Sequence, residues 1–434
     1  MRKTVLLFSA AAAVIAPAVV TAQVAGRPLN PRYVAQSQKE HPELVAELGG
    51  AETGARAAYV DTVGRRVAAY SGVMPGAYRF TLLNSAVENA FATPGGYVYV
   101  TRQLMALLDN ESELAFALGH EVGHVAANHA QQRQSAARRN SILGVLGAIL
   151  GSMGGGAFGN ILSQSAQQAA EMATLRFSRE QEYQADTLGL RYIVNAGYDP
   201  AGGPGILNRD QYLAQLEGVY VDDDPAQGII EGRTFTHPDL RIFFAVPPGY
   251  LMQNSTDAVG VKGSGGQAQF SGGRFTGPIE DYIGRVLQSV AGQTPLALAP
   301  IQRTSVNGLP AAFTTARAQT SSGVVDLSVF AYQWDANTVY HFVMLTQGGA
   351  GIGPFVPMVQ SIRRISAAEA SAIRPRIIDV VTVGPRDTVQ SLASRMAYRN
   401  FQVERFLSLN GLTAASRLTP GTKVKLVVYG TRRT

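Results

Sequence analysis

The stretch Leu114-Ala115-Phe116-Ala117-Leu118-Gly119-His120-Glu121-Val122-Gly123-His124 decides how this chain is read. Asn110 with Glu113 three residues on is a capping-box signature, and it opens a helix predicted over residues 111–139. The apolar run ahead of His120 makes that helix a buried one. His120 and His124 stand at i, i+4, which puts both imidazoles on one face, about 6 Å apart. Two neutral imidazoles so placed suit a tetrahedral Zn2+, and Glu121 beside them can take a proton from water at the metal. A buried His-Glu-His cluster with no metal would leave costly unpaired polar groups.

A hydrolytic zinc site takes a third protein ligand and keeps one position open. The run Ser178-Arg179-Glu180-Gln181-Glu182-Tyr183-Gln184-Ala185-Asp186 offers that ligand, on a helix predicted over 171–195. Glu182 and Asp186 are again i, i+4. Glu182 is the candidate ligand, and Asp186 then accepts a hydrogen bond from the outer nitrogen of a ligand histidine. Glu180 is the rival ligand, about 200° from Glu182 around the helix. His129 lies nine residues after His120. On a continuous helix that is about two and a half turns, on the opposite side, which is a structural position.

HExxH followed by ExxxD resembles the M48 zinc metallopeptidases, gluzincins with a helical core and a small edge strand. Asn89-Ala90-Phe91-Ala92-Thr93-Pro94-Gly95-Gly96-Tyr97-Val98-Tyr99-Val100 is similar to that family's NAFAxPGG strand. The resemblance covers about residues 40–200 and is nearest to periplasmic members. It implies that one Zn2+ per chain is held by His120, His124 and Glu182, with Glu121 and Asp186 as the catalytic pair. It also implies that Asn89, Ala90, Phe91, Gly95 and Gly96 bind substrate. In the family this strand pairs with the substrate backbone, which is β-augmentation with little sequence preference.

Family members often carry a later Thr-His-Pro followed four residues on by Arg-Ile, and in some of them the histidine plugs the site. Here Thr236-His237-Pro238-Asp239-Leu240-Arg241-Ile242 shortens that interval by two residues. His237 is therefore either a plug or transition-state donor, or simply the residue that starts the next strand; the second reading is preferred.

The 434 residues are 46% hydrophobic and 16% charged, which excludes a charge-swollen disordered chain and leaves material for about three domains. The net charge of +6 is scattered, so nucleic acid is not an expected partner. Arg2 and Lys3 before an uncharged run, then Val20-Thr21-Ala22, read as a signal peptide over 1–22, and the expected location is the periplasm. With no cysteine there is neither a disulfide nor a lipoprotein anchor. Residues 140–170 carry no charge, and 141–162 are expected to form a mobile or membrane-surface lid beside the cleft, preferred over a buried core hairpin and over a membrane span. A single span would put His120 and Glu182 on opposite sides of the membrane.

The expected fold class is α+β and multidomain. A mainly helical metallopeptidase domain with its edge strand covers 23–205, and 206–233 is a linker. An antiparallel α+β module covers 234–372 and a βααβ unit covers 376–430. Val381-Thr382-Val383-Gly384-Pro385-Arg386-Asp387-Thr388, Phe406-Leu407-Ser408-Leu409-Asn410-Gly411-Leu412 and Leu418-Thr419-Pro420-Gly421-Thr422 in this last unit resemble a LysM repeat. That resemblance implies peptidoglycan as a partner of 377–429. The expected function is an exported zinc endopeptidase hydrolysing misfolded or stalled cell-envelope proteins, with unfolded or extended polypeptides as substrates and the LysM-like tail as a tether to the wall. The alternative is a non-proteolytic, chaperone-like or peptidoglycan-binding envelope protein with a closed zinc site.

Overall fold

The segments on either side of the HExxH run set the geometry of everything around it. The computed structural model describes residues 26–74, 76–132, 177–200, 204–291, 296–320 and 323–432. The expected signal peptide at 1–22 and the uncharged segment 141–162 lie outside these. The structure is mixed α+β with several sheets.

The first part holds helices α1 (Pro31–Glu47) and α2 (Ala55–Ala68), and strands β1 (Arg79–Leu83), β2 (Ala90–Ala92) and β3 (Tyr97–Thr101). Helices α3 (Arg102–Leu107), α4 (Glu111–Ala126), α5 (Arg179–Asn195) and α6 (Arg209–Leu216) follow, with strand β4 (Tyr220–Val221) after them. The expected caps form. Asn110 Oδ1 accepts from Glu113 N–H at 3.0 Å, and Glu113 returns the bond to Asp109 N–H at 2.8 Å. Ser178 and Gln181 make a reciprocal capping box at the start of α5. The sheet order β1-β3-β2 leaves β2 at an edge.

Two expectations change here. Helix α4 stops at Ala126 instead of running to 139, because Asn128 takes a left-handed conformation (φ 56°) and the chain turns before a helical stretch resumes at His129. The stretch read as a linker, 206–233, carries α6, whose Tyr212, Leu213 and Leu216 are buried in the same core as α2 and α4.

The second part has two sheets. Strands β5 (Ile229–Glu231), β6 (Thr234–His237) and β7 (Ile242–Ala245) come first, then β8 (Leu251–Asn254), β9 (Val259–Gly263) and β10 (Gly266–Arg274). After α7 (Ile279–Ala291) come β11 (Ala297–Leu298), β12 (Gln302–Val306), β13 (Leu309–Thr320), β14 (Gly323–Asp335) and β15 (Thr338–Gln347). Helix α8 (Val356–Ser361), β16 (Arg363–Arg364) and α9 (Ala367–Ala372) close it. The large sheet runs β11-β13-β14-β15-β10-β9-β8 with β12 paired to β13, and the small one runs β16-β7-β6-β5. Ile283 and Leu287 of α7 cover one face of the large sheet; Phe244 and Met358 lie in the core on its other face.

The last part is β17 (Arg376–Thr382), α10 (Val389–Ala393), α11 (Gln402–Leu409) and β18 (Lys423–Tyr429), a strand–helix–helix–strand unit as the pattern predicts. It does not hang free. β17 pairs with β18 on one side and with β4 on the other, and Leu392, Phe406, Leu409 and Leu426 share one core with Val60, Leu114 and Leu118. Phe406 is fully buried, worth about 1.5–3 kcal/mol of transfer free energy. Lys425, also fully buried, donates to the carbonyls of Ala106, Leu107 and Leu108 at 2.8–3.1 Å and pairs with Asp109 at 3.0 Å. The C-terminal unit thus caps the end of α3, immediately ahead of the helix that carries HExxH.

Candidate active site

Small residues let α4 and α5 approach closely. A Cβ on Gly189 would stand 2.9 Å from the His120 backbone nitrogen, and one on Gly123 would stand 3.0 Å from the Ala185 carbonyl oxygen. That approach brings Glu182 of α5 to the two histidines of α4. The distances are 2.9 Å between His120 Nε2 and His124 Nε2, 3.4 Å from His120 Nε2 to Glu182 Oε2, and 3.7 Å from His124 Nε2 to Glu182 Oε2. Among the described residues these three form the group of His and acidic side chains that could share an ion.

The donor set fits a metal. A tetrahedral ion about 2.0–2.1 Å from each ligand needs ligand atoms about 3.3 Å apart, and the three observed edges bracket that value. Asp186 Oδ1 accepts from His120 Nδ1 at 2.9 Å, so the lone pair of His120 Nε2 faces the other two ligand atoms. The site is also short of positive charge. Burial, with Glu182 nearby, pushes the Glu121 carboxyl up to about 8. Burial and the neighbouring imidazoles of His120 and His129 lower His124 to about 3, so it is the neutral ring a metal requires.

The edge strand shows which of its groups are free. Thr101 N–H bonds to Asn89 O at 3.0 Å and Thr93 N–H to Tyr97 O at 2.8 Å. In an antiparallel pair the bonded positions alternate, so Phe91 bonds to Tyr99 while the N–H and C=O of Ala90 and Ala92 point away from β3. The Phe91 ring stacks on Tyr99, with centroids 4.7 Å apart. Asn89 is tied back to Thr101 through its backbone.

Gly95 and Gly96 form the turn that leads into β3. Both are buried in the turn beneath α1. Gly95 N–H donates to Ser37 Oγ at 3.1 Å, a Cβ there would meet Tyr33 O at 2.5 Å, and Gly96 has φ +84°. They shape the entry to the strand. Glu180, the rival ligand, stays outside the metal-binding group. So does His237, which sits in β6 and accepts from Leu240 N–H at 3.2 Å.

Three residues near the centre were given no part in the metal site by the sequence reading. His129 Nδ1 lies 2.9 Å from His124 Nδ1, and its Nε2 lies 2.9 Å from Gln184 Oε1. Phe177 stacks on His124 with centroids 3.9 Å apart. The available signal was Asn128, a residue type that tolerates the left-handed helix stop and so lets His129 swing back.

Comparison with known proteins agrees with this geometry. Residues 54–242 match the model of the peptidase family M48. A β-barrel assembly-enhancing protease of Yersinia pestis is 32% identical over 187 residues, which is 42% of this chain and 37% of that protein. The protein of the same name in Escherichia coli strain K12 is 29% identical over 154 residues, 35% of this chain and 32% of that one. The mitochondrial metalloendopeptidase OMA1 of Arabidopsis thaliana is 30% identical over 142 residues, 33% of this chain and 27% of its own. The chain therefore spans about a third of the length of these relatives.

Proposed function

We propose that this chain, whose residues 54–242 match the M48 family, is an exported zinc-dependent endopeptidase that cleaves unfolded or stalled polypeptides of the cell envelope. The observation that carries the reading is the convergence of His120 Nε2, His124 Nε2 and Glu182 Oε2 on one point beside Glu121. His120, His124 and Glu182 would hold the ion. A divalent ion there supplies Lewis acidity and positive charge, which polarise a peptide carbonyl, activate water and favour the ionised form of Glu121. Glu121 accepts the proton of the attacking water on its carboxylate and returns it to the nitrogen of the leaving amine. Ala90 and Ala92 bind an extended backbone through their outward N–H and C=O groups, which selects for unfolded segments rather than for sequence. Asp186 orients His120.

The envelope location rests on the signal-peptide pattern at 1–22 and on relatives whose name refers to β-barrel assembly. Retention at the wall through 377–429 belongs to the same reading, and co-sedimentation of the full chain with insoluble peptidoglycan tests it. The peptidase itself is tested by metal analysis and casein cleavage. One zinc per chain and chelator-sensitive cleavage of unfolded casein are expected. A chain that holds no metal, or that binds zinc and leaves casein whole, refutes the peptidase reading.

A further inference from the structure

We infer that His129 and Gln184 are positioning residues that fix the ring tautomer of His124, so that its Nε2 presents a lone pair to the metal site. This rests on the metal reading above and deepens it. The chain turns back at Asn128 (φ 56°) and delivers His129 into the interior, where it has no exposed surface. There it lies between two partners, His124 Nδ1 and Gln184 Oε1, each at 2.9 Å.

The hydrogens in this row follow by elimination. A carbonyl oxygen only accepts, so Gln184 Oε1 requires the hydrogen of His129 on Nε2. A neutral imidazole carries one ring hydrogen, so His129 Nδ1 is left as an acceptor. The 2.9 Å contact between the two Nδ1 atoms then needs His124 to be the donor. His124 must hold its hydrogen on Nδ1, which leaves Nε2 bare and aimed at His120 Nε2 and Glu182 Oε2. Run the other way, with a donor at position 184, the same row would put a hydrogen on His124 Nε2 and block it as a ligand.

Helix α5 thereby prepares both histidines. Asp186 holds the hydrogen of His120 on Nδ1 directly, Gln184 does the same for His124 through His129, and Glu182 adds the third ligand. Phe177, stacked on His124 at 3.9 Å, holds the ring plane in which this row can form. Partners of this kind are typically worth 10–100-fold in metal affinity.

The test is zinc affinity of the full chain by competition with a chromophoric chelator, alongside the melting temperature of each zinc-free protein. Gln184→Met removes the acceptor and His129→Leu removes the row; both keep net charge unchanged. Each is expected to bind zinc about 10–100-fold more weakly than wild type. His129→Asn places an amide oxygen where Nδ1 was and is expected to restore affinity to within about threefold of wild type, because that oxygen again accepts from His124. A purely structural role predicts that affinity follows the zinc-free melting temperature across the set, and that result overturns the relay. Tight wild-type binding that Gln184→Met and His129→Leu leave unchanged also overturns the relay while leaving the metal site standing. A wild-type chain that binds no zinc overturns the metal reading and the relay together.

Discussion

Replacing Lys425 with methionine tests whether the C-terminal unit is part of the peptidase body. The ammonium has no exposed surface; it donates to three carbonyls at the end of α3 and pairs with Asp109. Those carbonyls are the ones a helix cannot satisfy internally. Methionine keeps an unbranched apolar stem but leaves the carbonyls and Asp109 without their cation. Removing one partner of a buried ionic cluster costs about 3–5 kcal/mol. For a body of this size each kcal/mol moves the melting temperature by about 2–4 °C, so the expected fall is about 6–20 °C. Calorimetry reads it. The single tryptophan, Trp334, is buried in the middle unit, so its fluorescence should report an unchanged transition there. Lys423→Met is the control. Lys423 is partly exposed, 3.8 Å from Asp210, and should cost at most about 1 kcal/mol. Equal melting temperatures for the two variants would refute the idea that the C-terminal unit clamps the start of the HExxH helix.

Other changes probe the site and the middle unit. Ala92→Pro removes an N–H that faces outward from the edge strand, where proline is tolerated. It should fold normally and raise KM for unfolded substrate about threefold to tenfold, the worth of one hydrogen bond, whereas unchanged kinetics would remove Ala92 from substrate binding. Gly189→Ala puts a methyl 2.9 Å from the His120 backbone nitrogen, so α5 must retreat; zinc affinity should fall, as measured by chelator competition. His341 is buried between Tyr282 and Ser271, and burial lowers it to about 4 from 6.5. The unfolded chain therefore binds the extra proton first. Stability of the middle unit is full above about pH 6.5 and falls toward pH 4, by up to roughly 3 kcal/mol, and His341→Asn should flatten that slope in denaturant melts followed by Trp334 fluorescence.

What the sequence revealed was local. The i, i+4 spacings of His120 with His124 and of Glu182 with Asp186 name their own geometry, because a helix puts such pairs on one face. The capping residues Asn110 and Ser178 were equally legible. The end of α4 was not: the residues after Ala126 still look helical, and only the left-handed Asn128 stops them. His129 was misplaced for that reason alone. The packing of α1 over Gly95 was not legible either, because nothing in the motif marks it. The docking of the C-terminal unit was also hidden. Its pairing joins Tyr220 and Val221 to β17 across more than 150 residues, through a strand too short to show a period. Lys423-Val424-Lys425 alternates as a half-exposed strand would, yet Lys425 is the buried end of the clamp.

The measurement that bears most directly on the proposed chemistry is cleavage of unfolded casein by zinc-loaded wild type and by Glu121→Gln. The amide keeps the shape of Glu121 and takes no ligand from His120, His124 or Glu182. The variant should bind one zinc and lose about 10²–10⁴-fold in cleavage rate, the usual size of a general acid–base contribution. Cleavage by Glu121→Gln at the wild-type rate, with zinc bound, would contradict the assignment of this site as a peptidase centre.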